Sequence, residues 1–286
     1  MQHHTPALPV AADLADLIEY LKAVFGDAQG FAHVSLGRNG YFDDNGKYRF
    51  PDGQFVGRSF AWPADDLEAI AAQIFEAAAD ADLYACPYLK YADKRTPGAT
   101  VERRLLHVDW DGSDEFEAEF MAKADKLGAF VVRSGTGSHY HLYIPLFGPV
   151  TSKQHDELLK GLHRYLPPGV DAGKKTTENL LRPPGVKNFK GRARGGEPYR
   201  TEWVVRPTDA RMDVDSVAAH LGVHLTPEFT TPTPQGQGQP FCARSGPHGP
   251  EHGAAYRPRR VSRRGGRLGR RRRPLTRHIV DCWRLL

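Results

Sequence analysis

"AFVVRSGTGSHYHLYIPL", Ala129 to Leu146, reads as two strands joined by a tight turn. Ala129–Arg133 is apolar and β-branched, and in His139–Leu146 the faces alternate. Tyr140, Leu142 and Ile144 share one face, while His139, His141 and Tyr143 share the other. The apolar set belongs to a core, so both histidines lie wherever the turn faces. Gly135 and Gly137 let the backbone N–H groups of the SGTGS turn approach an anion closely. Alone, the histidines suit three uses: ordinary strand residues, metal ligands, or a grip on phosphate.

Upstream, "LLHVDWDG" (Leu105–Gly112) repeats the alternation. Leu106, Val108 and Trp110 point to the core, and His107, Asp109 and Asp111 point away from it. Carboxylates held this close repel unless a cation lies between them or one takes a proton. An acidic pair at this spacing on a strand holds Mg²⁺ or Mn²⁺ for phosphoryl chemistry, or merely ends the strand at a turn. Downstream, "VDAGKKTTENLLRPPGVKNFKGRARGG" (Val170–Gly196) supplies Asp171, then Arg182, Lys187, Asn188 and Lys190 around a Pro-Pro-Gly turn. In isolation it is a surface loop with scattered basic residues.

The remaining periodicity predicts α+β architecture. Ala11–Phe25 sets Leu14, Leu17, Ile18 and Leu21 at helical spacing, and Gly26 stops it. Phe31–Leu36 is strand-like and leads into a turn-rich excursion from Gly37 to Gly46. Further helices are expected at Asp65–Ala79, at Ser113–Leu127 capped by Ser113 or Asp114, at Thr151–Leu166 with a Thr151/Gln154 capping box, and at Val214–Leu221. A late strand covers Tyr199–Arg206. Hairpin-joined strands beside helices imply a mainly antiparallel sheet. There is no internal repeat.

The formal charge of +5 conceals a division. From Phe241 onward 13 arginines face 2 acidic residues, whereas the preceding 240 residues hold 26 basic and 32 acidic side chains. The body is therefore acidic, and an anionic substrate needs local cations or bound metal there. Residues 226–240, rich in Pro, Gln and Gly, read as a linker, and residues 241–286 as an Arg-rich segment expected to be disordered. That segment reads either as a basic tail or as the truncated or frame-shifted end of a longer protein. The division predicts one folded domain over 1–225. No apolar run approaches the ~20 residues of a membrane span, and no secretory signal is visible. The three cysteines are too few and too scattered for a disulfide framework or a zinc site, which predicts a cytoplasmic protein.

The order VDWDG, SGTGSHYHLY and D…LLRPPGVKNFKG resembles the archaeo-eukaryotic primase superfamily, in particular bacterial, plasmid and phage primase–polymerases. The resemblance covers roughly residues 30 to 205. It implies an RRM-like sheet packed with an N-terminal α/β unit. It assigns metal-binding roles to Asp109, Asp111 and Asp171, with Glu178 the less favoured third carboxylate. Ser134, Gly135, Gly137, Ser138, His141, Arg182, Asn188 and Lys190 would bind the nucleotide. The turn carries one residue more than the shortest family versions, so His139 and His141 both stand as phosphate ligands; His141 is favoured because Leu-Tyr and an apolar strand follow it. The activity implied is template-dependent nucleotidyl transfer with Mg²⁺ or Mn²⁺, a primer, a single-stranded DNA template and NTP or dNTP, with a replicative helicase as a further partner. Two other readings compete. His139-Tyr140-His141 has the His-hydrophobic-His spacing of nicking endonucleases and relaxases, but the only Y-x-x-K match, Tyr91–Lys94, precedes it. A non-catalytic DNA-binding replication protein is the other, and the acidic trio argues against it.

Overall fold

Leu105–Asp111 and His139–Pro145 pair antiparallel along their whole length, with Leu106 opposite Ile144, Asp109 opposite His141 and Asp111 opposite His139. In a computed structural model of the chain, which describes residues 10–226, this pair lies inside a four-stranded sheet. The elements run α1 (Val10–Phe25), β1 (Gly30–Gly37), β2 (Tyr41–Phe42), β3 (Tyr48–Arg49), β4 (Phe55–Trp62), α2 (Leu67–Ala77), β5 (Asp82–Ala85), β6 (Leu105–Asp111), α3 (Asp114–Lys126), β7 (Phe130–Arg133), β8 (His139–Pro145), α4 (Ser152–Tyr165), β9 (Lys187–Asn188), β10 (Tyr199–Arg200), β11 (Glu202–Val205) and α5 (Val214–Leu221). The large sheet is ordered β11-β7-β8-β6 and the smaller one β4-β1-β5, each antiparallel throughout. The fold is α+β, as the hairpin pattern requires.

One face of the large sheet is apolar because alternate residues of β6 and β8 are. Leu106, Val108, Trp110, Tyr140, Leu142 and Ile144 pack there against Phe120 and Ala124 of α3, Leu158 and Leu162 of α4, and Val217 and Leu221 of α5. Trp110 stacks on Phe120 with ring centroids 4.4 Å apart, and its indole N–H donates to the Pro168 carbonyl at 3.0 Å. The capping box of α4 forms: Gln154 N–H donates to Thr151 Oγ1 (3.2 Å) and Thr151 N–H to Gln154 Oε1 (3.1 Å).

The opposite face corrects one expectation. Asp109, expected like Asp111 to face solvent or metal, is mostly buried, and His107 on the same strand face is fully buried. The N-terminal unit covers that end of the sheet. Tyr143 lies with its hydroxyl 3.2 Å from that of Tyr20 on α1, and the Tyr88 hydroxyl sits 2.9 Å from His107 Nδ1 and 2.8 Å from His155 Nε2. Burial holds both of these histidines neutral, His107 pushed down to about 3 and His155 to about 4. Along β6 the chain thus passes from a two-sided core at Leu105 to an open edge at Asp111.

Other departures have local reasons. The expected strand Tyr199–Arg206 is divided, because Thr201 turns inward between β10 and β11 and its hydroxyl donates to the Pro183 carbonyl at 2.6 Å. β4 and β5 carry no clear sequence signal, since Gly57, Arg58 and Ser59 interrupt the first and the second is four residues long. Ser113 occupies the N-cap of α3 without a side-chain cap bond, and the first-turn carboxylates Asp114 and Glu117 accept from Ser138. Apart from Thr226, the expected linker and the Arg-rich segment lie outside the described residues. No described helix is long and apolar enough to cross a membrane.

Trp110→Ala removes a buried, stacked ring, so it should destabilise the protein by about 3–5 kcal/mol, read as a lower urea midpoint at unchanged m-value.

Candidate active site

Where β6 and β8 emerge from under the N-terminal unit, they form one wall of a cleft of about 450 Å³. The turn at Ser134–Thr136, the segment Arg182–Gly196 and the β2–β3 hairpin form the others. Of the residues expected to act, Asp109, Asp111, Ser134, Gly135, His141, Arg182, Asn188 and Lys190 line this cleft. Asp171, Gly137 and Ser138 do not. Tyr91, from the Y-x-x-K match, does not line it either, whereas Tyr48 and Tyr199 do.

The carboxylates differ in environment. The Asp109 carboxylate receives no hydrogen bond from a described residue, and His141 Nε2 stands 3.6 Å from its Oδ1. Burial, with the Asp111 charge next, raises it to about 6. Asp111 is about half exposed and is held by His139, whose Nδ1 is 2.6 Å from its Oδ1. That contact lowers the Asp111 pKa and raises the His139 pKa. Asp171 is tied to the strand by its backbone N–H, which donates to the Asp109 carbonyl at 2.9 Å. Its carboxylate, however, accepts from Gly173 N–H at 2.8 Å in a turn of its own. Among the described residues no three His, Cys, Asp or Glu side chains converge to hold an ion as placed. The acidic trio is thus a pair with a neighbour.

Three of the expected residues have partners within the chain that the sequence does not show. His141 Nδ1 lies 3.1 Å from the Arg182 carbonyl, which can only accept, so Nδ1 carries the proton. Burial and the Arg182 charge push its pKa down to about 3, leaving a neutral ring whose free nitrogen accepts rather than donates. The histidine at the cleft whose pKa is raised, by its contact with Asp111, is His139. Arg182 is buried against Asp82, with Nε at 3.2 Å and Nη2 at 2.9 Å from Oδ1, and Nη2 also donates to Tyr84 Oη at 2.5 Å. Its charge is already spent. Ser138 is buried, its hydroxyl 2.6 Å from Asp114 Oδ1 and 2.8 Å from Glu117 Oε2, so it anchors the turn to α3 from behind. Asn188 has a comparable bracing role: Nδ2 donates to the Ser134 carbonyl at 2.6 Å, and Oδ1 accepts from Lys190 N–H at 3.1 Å.

The cations left for an anion are Lys190 and Arg194, which make no ion pair with a described residue. Lys190 Nζ lies 5.8 Å from the Tyr48 ring centre, and the Arg194 guanidinium 4.4 Å from that of Phe42. Arg194, Phe42 and Tyr48 were not singled out from sequence. The basic run KGRARGG was visible, but which of its arginines faces the cleft was not.

No family model matches the chain, and no curated protein matches it. Solved structures do. The archaeo-eukaryotic primase domain of the cyanophage S-2L primase–polymerase matches with TM-score 0.50 over 72% of this chain and 97% of that one, at 15% identity. The described residues have a primase–polymerase fold. Primase RepB′ matches with TM-score 0.48 at 15% identity, over 73% of this chain and 62% of that one. The polymerase domain of Mycobacterium tuberculosis Ligase D, in complex with DNA, matches with TM-score 0.40 at 13% identity, over 74% of this chain and 88% of that one. At such identities the likeness is one of fold. In this primase–polymerase fold the open end of β6 carries the acidic pair.

Two measurements check the site. Arg182→Ala leaves Asp82 buried and unpaired, so it should cost about 3–5 kcal/mol of stability in urea unfolding, whatever it does to ligand affinity. For Asp109 the folded pKa lies above the unfolded one, so ionisation opposes folding above about pH 6. In metal-free buffer Asp109→Asn should therefore be more stable than wild type at pH 7.5, with the difference closing as pH falls from 6 toward 4.

Proposed function

We propose that this chain catalyses template-dependent nucleotidyl transfer, as a DNA primase or DNA polymerase. One observation carries the reading: two adjacent carboxylates at the open end of β6 face Lys190 and Arg194 across a single cleft. Asp111 has His139, but Asp109 has no donor among the described residues, and Lys190 and Arg194 have no ion-pair partner among them. The carboxylates call for a cation, and the cations call for an anion. A nucleoside triphosphate with its divalent ion supplies both.

The residues fit Mg²⁺ or Mn²⁺. Asp109 is a carboxylate without a hydrogen-bond donor among the described residues, beside a second carboxylate, and oxygen ligands suit both ions. Asp109 and Asp111 would hold the ion. Asp171 remains the third carboxylate because its backbone bond keeps it next to Asp109, and that role requires its side chain to leave its own turn. When bound, the ion lowers the pKa of a primer 3′-hydroxyl and offsets charge on the departing pyrophosphate.

In the reaction, the 3′-oxygen bonds to the α-phosphorus of the incoming nucleotide. The bond from that phosphorus to the bridging oxygen breaks, pyrophosphate leaves and the hydroxyl proton is lost. Lys190 and Arg194 neutralise the triphosphate, and the backbone N–H groups of Gly135 and Thr136 add donors. Asn188 and Ser138 hold the Ser134–Thr136 turn in place. The partners of this reading are a primer, a single-stranded DNA template and NTP or dNTP.

Primer extension on a single-stranded template, with Mn²⁺ and both NTPs and dNTPs supplied, tests the proposal. Wild type should extend the primer, and Asp111→Ala should lose extension while unfolding like wild type. Arg194→Ala and Lys190→Ala should each raise the nucleotide KM roughly ten- to hundredfold, the range of one charge-assisted hydrogen bond. Failure of wild type to incorporate any nucleotide sinks the reading.

A further inference from the structure

The edges of the two larger sheets are closed or blunted, with one exception. β5 is capped by Leu181, whose N–H and C=O exchange bonds with Ala85 at 3.0 and 2.8 Å. β6 is flanked by residues 169–171: Asp111 N–H donates to the Gly169 carbonyl at 2.8 Å, and Asp171 N–H to that of Asp109 at 2.9 Å. β11 is four residues long, and its pairing with β7 is interrupted between Trp203 and Val205. Short, bulged or covered edges keep a sheet from pairing with other chains. β4 has none of these protections among the described residues. It pairs with β1 along all of Phe55–Trp62 without a bulge, holds no proline, and carries Arg58 as its one charge.

The register shows which β4 groups are free. Odd-numbered β1 residues bond toward β5, since Cys86 N–H donates to the His33 carbonyl at 2.9 Å and Phe31 exchanges bonds with Lys90. Even-numbered ones therefore bond to β4, through Ala32–Phe60, Val34–Arg58 and Leu36–Val56. The N–H and C=O groups of Phe55, Gly57, Ser59 and Ala61 thus point outward, and no described residue bonds to them.

We propose that β4 pairs antiparallel with β4 of a second copy of this chain, joining two three-stranded sheets into one continuous sheet. A two-fold axis requires a register that sets outward-pointing residues opposite one another. Centring on Arg58 places two guanidinium groups face to face, and like charges opposite each other repel. Centring on Gly57 or Phe60 pairs only residues 55–59 or 58–62. Centring on Ser59 pairs residues 56–62 and offsets the arginines. Ser59 then faces Ser59 of the second copy, Gly57 faces its Ala61, and the exposed Phe55 ring lies opposite its Pro63. The pairing makes no use of the cleft, so it stands independently of the nucleotidyl-transfer reading.

Sedimentation velocity of the nuclease-treated full chain, over a micromolar concentration series, tests it. Wild type should sediment as a dimer that dissociates on dilution. Gly57→Lys/Ala61→Lys brings lysines face to face twice and should weaken the dimer roughly tenfold or more. Gly57→Lys/Ala61→Glu matches opposite charges and should restore it. Both positions are exposed, and a side chain at Gly57 meets nothing closer than Ser35 Oγ at 3.9 Å, so the monomer accepts either pair. Hydrogen exchange needs no variant: the Gly57, Ser59 and Ala61 amides should exchange slowly in the dimer and fast on dilution. Wild type that stays monomeric throughout overturns the proposal. So does a Lys/Lys variant that dimerises like wild type, or a Lys/Glu variant that stays monomeric. Unprotected amides in a wild-type dimer overturn it even if neither variant folds.

Discussion

Asp82 is the point on which the cleft is assembled. Its Oδ1 accepts from Arg182 Nε and Nη2 and from the Phe189 N–H at 3.0 Å, and its Oδ2 accepts from the Tyr48 hydroxyl at 2.8 Å. One carboxylate on β5 therefore ties together the small sheet, the β2–β3 hairpin and the segment that carries Asn188 and Lys190. The backbone follows the same path, since Ala85 and Leu181 exchange N–H···O bonds at 2.8 and 3.0 Å. A buried pair of this kind adds little net stability over an apolar substitute, because both charges had to leave water. What it contributes is position. Neither partner can move without stranding the other.

Position is then passed on. With Arg182 held, its carbonyl fixes the His141 ring, and the ring faces Asp109 on the neighbouring strand. Asn188, six residues after Arg182, reaches the Ser134 carbonyl and sets one end of the glycine turn, while Ser138 sets the other against α3. The mobile-looking SGTGS sequence is thereby braced on both sides. Electrostatics complete the arrangement. Burial keeps His107, His155 and His141 neutral, so the only histidine at the cleft with a raised pKa is the half-buried His139 paired to Asp111.

The strand alternation in Leu105–Asp111 and His139–Leu146 made both strands, their apolar face and the hairpin of β7 and β8 legible, but not the pairing of β6 with β8. The capping box of α4 was legible too. The small sheet was largely hidden, because β5 is four residues long and β4 is interrupted by Gly57, Arg58 and Ser59. In the candidate site, Asp109, Asp111, His141 and Lys190 were nameable, but their protonation and partners were not. Arg182 looked like a free cation because Asp82, exactly the group that pairs it, lies a hundred residues away in a strand without a signature.

By itself, then, the sequence determined the local facts: period-2 burial in β6 and β8, the glycine turn between β7 and β8, and the presence of two carboxylates on one strand face. These depend on neighbours within a few residues, and side-chain alternation along a strand needs nothing more. Only the tertiary structure decided which charges remain available. Laying the N-terminal unit over the sheet buried His107 and most of Asp109, paired Arg182 with Asp82 and committed the His141 proton to a carbonyl. Desolvation and hydrogen bonding across long sequence separations set those outcomes, and neither is written in the spacing of residues along the chain.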